Sequence, residues 1–507
     1  MDPYTQQYEF AKVKKRRHMK LVVTYTLMTI AVVAISAVCI ALVMGYRFDF
    51  LQNKVSQGAL IQFVSQPANA YIVLDGQRLN FNTPGKRSVD AGAHTVKIQK
   101  EDYREWSKNF TLQPGEVRWL NYARLVPLDI QTRVVKEYPK MAQTLPSPDH
   151  DWIWVLPNAD KPEFELVDIR NSQQLAYTTF TIADQFLTHE AGAMDNFQLS
   201  EWNFGSRYVL VKHTYGDKTE FIRLDRTDPE NVVNLTTKFG VPIQDMHFST
   251  ENLFYGFDTG NLRKYDLNAG TLTDPIVKDV VSMKLYGDTD IAFVRHIDKR
   301  YRAGVIVDNK VTEVVDYDET LPLLIDLTTY YNNRYLAVAR GNQLYVYQNP
   351  HRKEAGEMVK TTNQRHGGGD IKWLDISSVG RFVIAGTSRQ FMTYDIELNE
   401  TSRINLPGAP GDEAVSPQWL DESNLISVAD NKLRMVDFNG DNQQMITNTL
   451  WNFPVTLNDD GKLLYSTDKN EASVYQLRVS GMTIEDIDTT IGTGKPDPFA
   501  NSTQPTN

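Results

Sequence analysis

Among 507 residues there is one cysteine, Cys39, and it lies inside an apolar run. Everything downstream of it is without thiols, so no disulfide can staple the bulk of the chain. An oxidising compartment permits disulfides without requiring them, and a large cysteine-free region of this kind favours a bacterial surface protein over an animal receptor. Positive charge is also short: 53 Lys and Arg stand against 63 Asp and Glu, a net charge of -10, and no basic stripe follows residue 20. That sign excludes an ordinary nucleic-acid binder. The nine histidines are scattered singly, with no pair at metal-ligand spacing, so neither a metal nor another cofactor is expected. A nucleophile elbow is absent too. With no catalytic constellation in view, the chain reads as something other than an enzyme.

What the chain does have is one long apolar run. Residues 21–45, LVVTYTLMTIAVVAISAVCIALVMG, carry no charge. At 1.5 Å per residue such a helix is long enough for a hydrocarbon core of about 30 Å. Lys12, Lys14, Lys15, Arg16, Arg17 and Lys20 precede it, whereas only Arg47 and Lys54 follow closely. The excess of positive charge predicts a cytoplasmic stub over 1–20 and the C-terminal bulk outside the cell membrane. A cleaved signal peptide would have a shorter apolar core of about 7–15 residues. A lipoprotein would need a small residue before its cysteine, and Val38 stands there.

After a linker at 46–57, residues 58–127 change to short runs broken by turns. Residues 59–64 (ALIQFV) lead to Pro67, and residues 70–74 (AYIVL) run into Asp75-Gly76, a hairpin signal because glycine accepts positive φ. Further turns fall at Thr83-Pro84-Gly85, Ala91-Gly92 and Pro114-Gly115. The pattern predicts a compact antiparallel sandwich of about 70 residues. The series Gln66-Pro67-Ala68-Asn69-Ala70, Val73-Leu74-Asp75-Gly76, Thr83-Pro84, Ala91-Gly92-Ala93-His94 and Tyr103 to Trp106 resembles a PEGA domain. Ala68 and Asn69 replace the Glu and Gly of its naming motif. The resemblance implies a bacterial or archaeal surface module acting as a spacer or adhesion unit, with His94 structural.

From 128 to 482 the chain repeats itself. Eight apolar strands begin near Asp151, Arg207, Asn252, Asp290, Arg334, Arg381, Asn424 and Lys462, about 38–55 residues apart. That period fits four-stranded propeller blades. Partner strands end at Asp168, Asp225, Asp266, Asp395 and Asp437, with Gln348 and Gln476 in similar places. The fold class predicted is all-β: an N-terminal transmembrane helix, a small PEGA-like β-sandwich, then a β-propeller of eight blades, or alternatively seven. Residues 130–135 are placed to complete the last blade, since a closed ring removes exposed edges. Ser147-Pro148-Asp149 and Ser416-Pro417-Gln418-Trp419 make the repeats resemble TolB-type or WD40-like families. The domain order resembles uncharacterised PEGA-containing membrane proteins of Saccharibacteria-type bacteria. The tail, 483–507, is rich in Thr, Asp, Pro and Gly and is expected to be disordered.

Candidate ligand contacts are few. Trp202, Trp373, Trp419 and Trp451 precede repeat strands; they either face a central channel and stack on a sugar or fill the wedge between blades. Arg365 and His366 open the stretch Gly367-Gly368-Gly369-Asp370, which lets backbone approach a ligand or serves as a connector. Residues 437–442 resemble part of a calcium loop but lack its closing Glu. The function expected is that of a membrane-anchored binding or scaffold protein whose propeller head recognises a surface protein or cell-envelope polysaccharide. The alternative is a propeller enzyme acting on glycans, which would need carboxylates converging across blades.

Overall fold

The computed structural model describes residues 3–43, 46–49, 54–387, 390–406, 417–429 and 431–484. Most of the expected tail, two residues of the expected transmembrane run and part of the linker lie outside them. Helix α1 spans Pro3–Val43, and its stretch Met19–Ile40 is long and apolar enough to cross a membrane. The chain divides into two compact units: residues 1–101 with 105–125, and residues 102–104 with 126–507.

In the first unit α1 is followed by β1 (Tyr46–Asp49), β2 (Lys54–Gln66), β3 (Tyr71–Leu74), β4 (Gln77–Asn82), β5 (Gly85–Asp90), β6 (Gly92–Gln99), β7 (Trp106–Leu112) and β8 (Val117–Arg124). They form two four-stranded sheets. In one, β1, β5 and β8 all pair with β2; in the other the order is β4-β3-β6-β7. Ile61, Phe63, Ile72, Val96, Ile98, Trp106 and Leu120 are each 0% exposed. The Thr83 hydroxyl is central to the turns: it accepts from the Ala70 amide at 3.0 Å and bonds the Ser65 hydroxyl at 2.6 Å. One expectation fails. The module is not antiparallel throughout, because β8 runs parallel to β2, with Leu60 beside Val117. The chain leaves the first sheet to build β6 and β7 in the second and returns in the same sense as β2.

The second unit is a succession of four-stranded antiparallel sheets, each strand paired with the next in sequence. Among the described residues there are eight, starting at 143, 195, 243, 280, 323, 373, 418 and 456. The last holds three consecutive strands and takes its fourth from β9 (Thr132–Tyr138), at the start of the unit. The strand expected to complete the ring therefore does so. The eight apolar strands recognised in the sequence are the second strands of these sheets. Several read as unbroken apolar runs because both faces are covered, as at Trp152–Leu156 and Phe382–Gly386.

Each pair of neighbouring sheets shares an apolar core. Trp154 and Phe164 of the first sheet meet Phe197 and Val211 of the second; Leu210 and Phe221 meet Met246 and Phe254 of the third. Five further cores continue the series to the eighth sheet. The last core returns to the beginning, with Leu463 and Leu477 against Ile153 and Val167. A cyclic series of cores leaves no sheet face for a foreign strand or sheet to cover, and each large apolar side chain buried contributes about 1.5–3 kcal/mol. The architecture is propeller-like.

The recurring Asp at the end of the third strand has a structural role. Asp225 accepts from the Arg207 guanidinium at 2.9 Å and from the Thr227 amide at 2.9 Å, tying the next turn to the start of the second strand. Asp395 does the same with Arg381 at 2.7 Å and the Glu397 amide at 2.9 Å. Gln348 keeps this place, whereas Gln476 sits near the start of its strand.

Candidate functional site

The first strand of each sheet hydrogen-bonds to one neighbour only, so its other edge would be left with unpaired amides and carbonyls. First strands of adjacent sheets lie against one another, as those of the fourth, fifth and sixth sheets do. Side chains from one first strand satisfy the backbone of the next. Gln143 donates to the Leu199 carbonyl and accepts from its amide, both at 2.8 Å. Glu201 accepts from the Phe248 amide at 2.6 Å. Asp326 accepts from the Ile376 amide, and Gln418 from the Val455 amide at 3.4 Å.

Three of these strands carry a register shift, at Leu199/Glu201, Ile243/Asp245 and Val280/Ser282. An extra residue of this kind bends a strand and re-aims its side chains. Opposite the second shift stands Gly256, where a Cβ would come within 2.3 Å of the Asp245 carbonyl oxygen. The bulge therefore needs a glycine across from it.

Two polar groups result. His247 lies between carboxylates of two sheets: Nδ1 is 2.8 Å from Glu201 Oε2 and Nε2 is 3.4 Å from Asp245 Oδ2. Burial works against a charged imidazole here, but the bonds to Asp245 and Glu201 outweigh it and push His247 up to about 10. Burial raises Asp245 as well, yet His247 and the Met246 amide hold it below its ordinary value. In the second group burial drives Asp326 up to about 7, the Asp375 charge adds to this, and Lys284 opposes both. Burial also raises Asp375. These side chains come from the first strands of the fourth, fifth and sixth sheets. The arrangement offers fixed donors and acceptors, and one carboxyl that exchanges its proton near neutrality.

The residues singled out in the sequence do not form one site. Trp202 is 8% exposed, packs between the first two sheets, and donates from Nε1 to the Leu145 carbonyl at 3.2 Å. Trp373 and Trp419 pack against the core between the sixth and seventh sheets. Their Nε1 atoms are buried without a partner among the described residues. Trp451 is 41% exposed on the link to the eighth sheet. Arg365 is an exposed strand end, while His366 is buried, its ring nitrogens 2.9 Å from the Gly369 carbonyl and 2.8 Å from that of Gln390. Gly368 has no room for a side chain, since a Cβ would meet Gln390 Oε1 at 2.2 Å. Among the described residues no cluster of His, Cys, Asp and Glu fits a metal ion.

Glu201, Asp245, His247, Lys284, Asp326 and Asp375 escaped the sequence reading. Their trace is a polar residue at alternate positions before a repeat strand, and neighbours in space are about 40–50 residues apart in sequence.

Residues 60–126 match the PEGA domain family. No curated protein matches the chain. Solved structures resemble its larger part at low identity. An oligogalacturonate lyase in complex with manganese is 12% identical, covering 69% of this chain and 98% of that one, with a TM-score of 0.40. The Cps50 (Swd1) β-propeller domain of Myceliophteria thermophila is 11% identical, covering 70% and 100%, with a TM-score of 0.38. Hsv2 of Kluyveromyces lactis is 10% identical, covering 68% and 99%, with a TM-score of 0.37. Nothing about ligand or activity passes from these to the present chain.

Proposed function

We propose that this is a membrane-anchored extracytoplasmic binding protein. In this reading Met19–Ile40 is retained as a single span, the basic residues before it stay in the cytoplasm, and the PEGA module joins the bilayer to an eight-bladed propeller head. The head recognises a cell-envelope polysaccharide or a surface protein and takes no part in nucleic-acid binding. The observation that carries the reading is the convergence of Glu201, His247, Asp326 and Asp375 on the first strands of separate sheets. Polar groups fixed by a rigid scaffold suit recognition of a hydroxyl-rich or amine-bearing ligand.

One observation favours the enzymatic alternative. A carboxyl held near neutrality beside a second carboxyl is an arrangement that glycan-cleaving sites use for proton donation. The test is co-sedimentation of the detergent-solubilised full chain with purified envelope polysaccharide, beside the Asp326→Asn/Asp375→Asn variant. Retention by the native chain and a tenfold weaker retention by the variant support binding. Release of soluble saccharide that the variant abolishes supports the enzyme. Absence of retention for both polysaccharide and envelope proteins overturns the proposal.

A further inference from the structure

The strand next to the anchor is apolar on both faces. In β2 the inward residues Ala59, Ile61 and Phe63 are buried. The outward residues Leu60, Gln62 and Val64 sit beside Val117 and Trp119 of β8, through the pairs Leu60–Val117 and Gln62–Trp119. Val64 is 40% exposed, Val117 45% and Trp119 48%. On the opposite flank of β2, Lys86 of β5 pairs with Gln62 and is exposed. A sheet with a solvated face ordinarily alternates apolar with polar, whereas a near-continuous run such as residues 59–64 marks a strand covered on both sides.

The covering surface follows from the tether. Six residues separate Ile40 from Tyr46, a reach of at most about 20 Å. Tyr46 pairs with Gln57, and Gln62 lies five residues further along β2, about 17 Å. The apolar face thus belongs to the sheet that the anchor enters first. Its Trp, aliphatic and Lys content is that of an interfacial surface, where an indole sits at headgroup level and a lysine stem lies along apolar contacts. We infer that the Val64–Val117–Trp119 face of the PEGA module lies on the outer bilayer surface. This rests on Met19–Ile40 being a membrane anchor.

The test uses full-length protein in liposomes of phosphatidylcholine and phosphatidylglycerol, with nitroxide-bearing lipids as quenchers. An environment-sensitive fluorophore is placed on native Cys39, or in a Cys39→Ser background on Trp119→Cys or on Thr111→Cys of the module's other sheet. Circular dichroism checks that each variant is folded. The expected result is strong quenching at 39 by deep nitroxides, and quenching at 119 by headgroup nitroxides at least twofold above that at 111. Quenching at 39 with none at 119 overturns the inference and leaves the anchor standing. Crosslinking of 119 between two copies overturns it in favour of a protein contact. Absence of quenching at 39 overturns the anchor and the inference together.

Discussion

Glu201 Oε2 lies 2.8 Å from His247 Nδ1, so a carboxylate of the second sheet holds an imidazole of the third. The same carboxylate accepts from the Phe248 amide through its other oxygen. One side chain therefore fixes both the edge of a neighbouring strand and the charge of its histidine.

Because the folded pKa of His247 is raised to about 10, the folded state retains a proton that the unfolded chain gives up near 6.5. The stabilisation is complete below about pH 6.5 and disappears as pH rises toward 10. Glu201→Gln should lower stability by roughly 1–3 kcal/mol at pH 6, with a smaller difference at pH 10. Thermal denaturation across that range checks this, and a pH-independent difference would refute the ion-pair account.

Asp326 has the opposite sign. A carboxyl raised to about 7 binds a proton in the folded state that the unfolded chain releases near 3.9, so stability falls as pH climbs between these values. Asp326→Asn should raise the melting temperature at pH 8, by the equivalent of roughly 1–3 kcal/mol, and do little at pH 4. If the stabilised variant also loses ligand, the carboxylate is kept for recognition at the expense of stability.

In the PEGA module His94 Nδ1 is 2.8 Å from Asp75 Oδ2, and Nε2 is 2.8 Å from the Asp90 carbonyl. Burial opposes both charges, but His94 is raised by Asp75, and Asp75 is lowered by the Thr95 amide and by His94. The histidine contributes fully below about pH 6.5 and is lost above it; the aspartate contributes above about 3.9 and is lost below it. Amide exchange in the 74–97 region should be slowest near pH-corrected 4–6.5, and His94→Ala should flatten that dependence.

The tryptophans separate by burial. Trp202→Ala empties a packed site and should cost about 3–5 kcal/mol in a denaturant titration. Trp451→Ala should change stability by less than about 0.5 kcal/mol, so any loss of polysaccharide retention in that variant reports contact with ligand. A large loss of stability at 451 would contradict its exposure.

The sequence by itself determined the elements whose signals are local. The apolar run of α1, the turn residues around Thr83 and Asp75, and the 38–55-residue spacing of buried strands all follow from patterns within a few dozen residues. Even the repeat Asp was legible, because the turn it organises is its immediate neighbour in sequence. The tertiary structure alone decided what the first strands do. Glu201 and His247, or Asp326 and Asp375, meet only after successive sheets have packed, and a β-bulge further re-aims the side chains at 201 and 245. Tertiary packing likewise sent Trp202, Trp373 and Trp419 into the cores between sheets, since a large ring at the start of a strand has the same local signal whether it faces a channel or a neighbouring sheet.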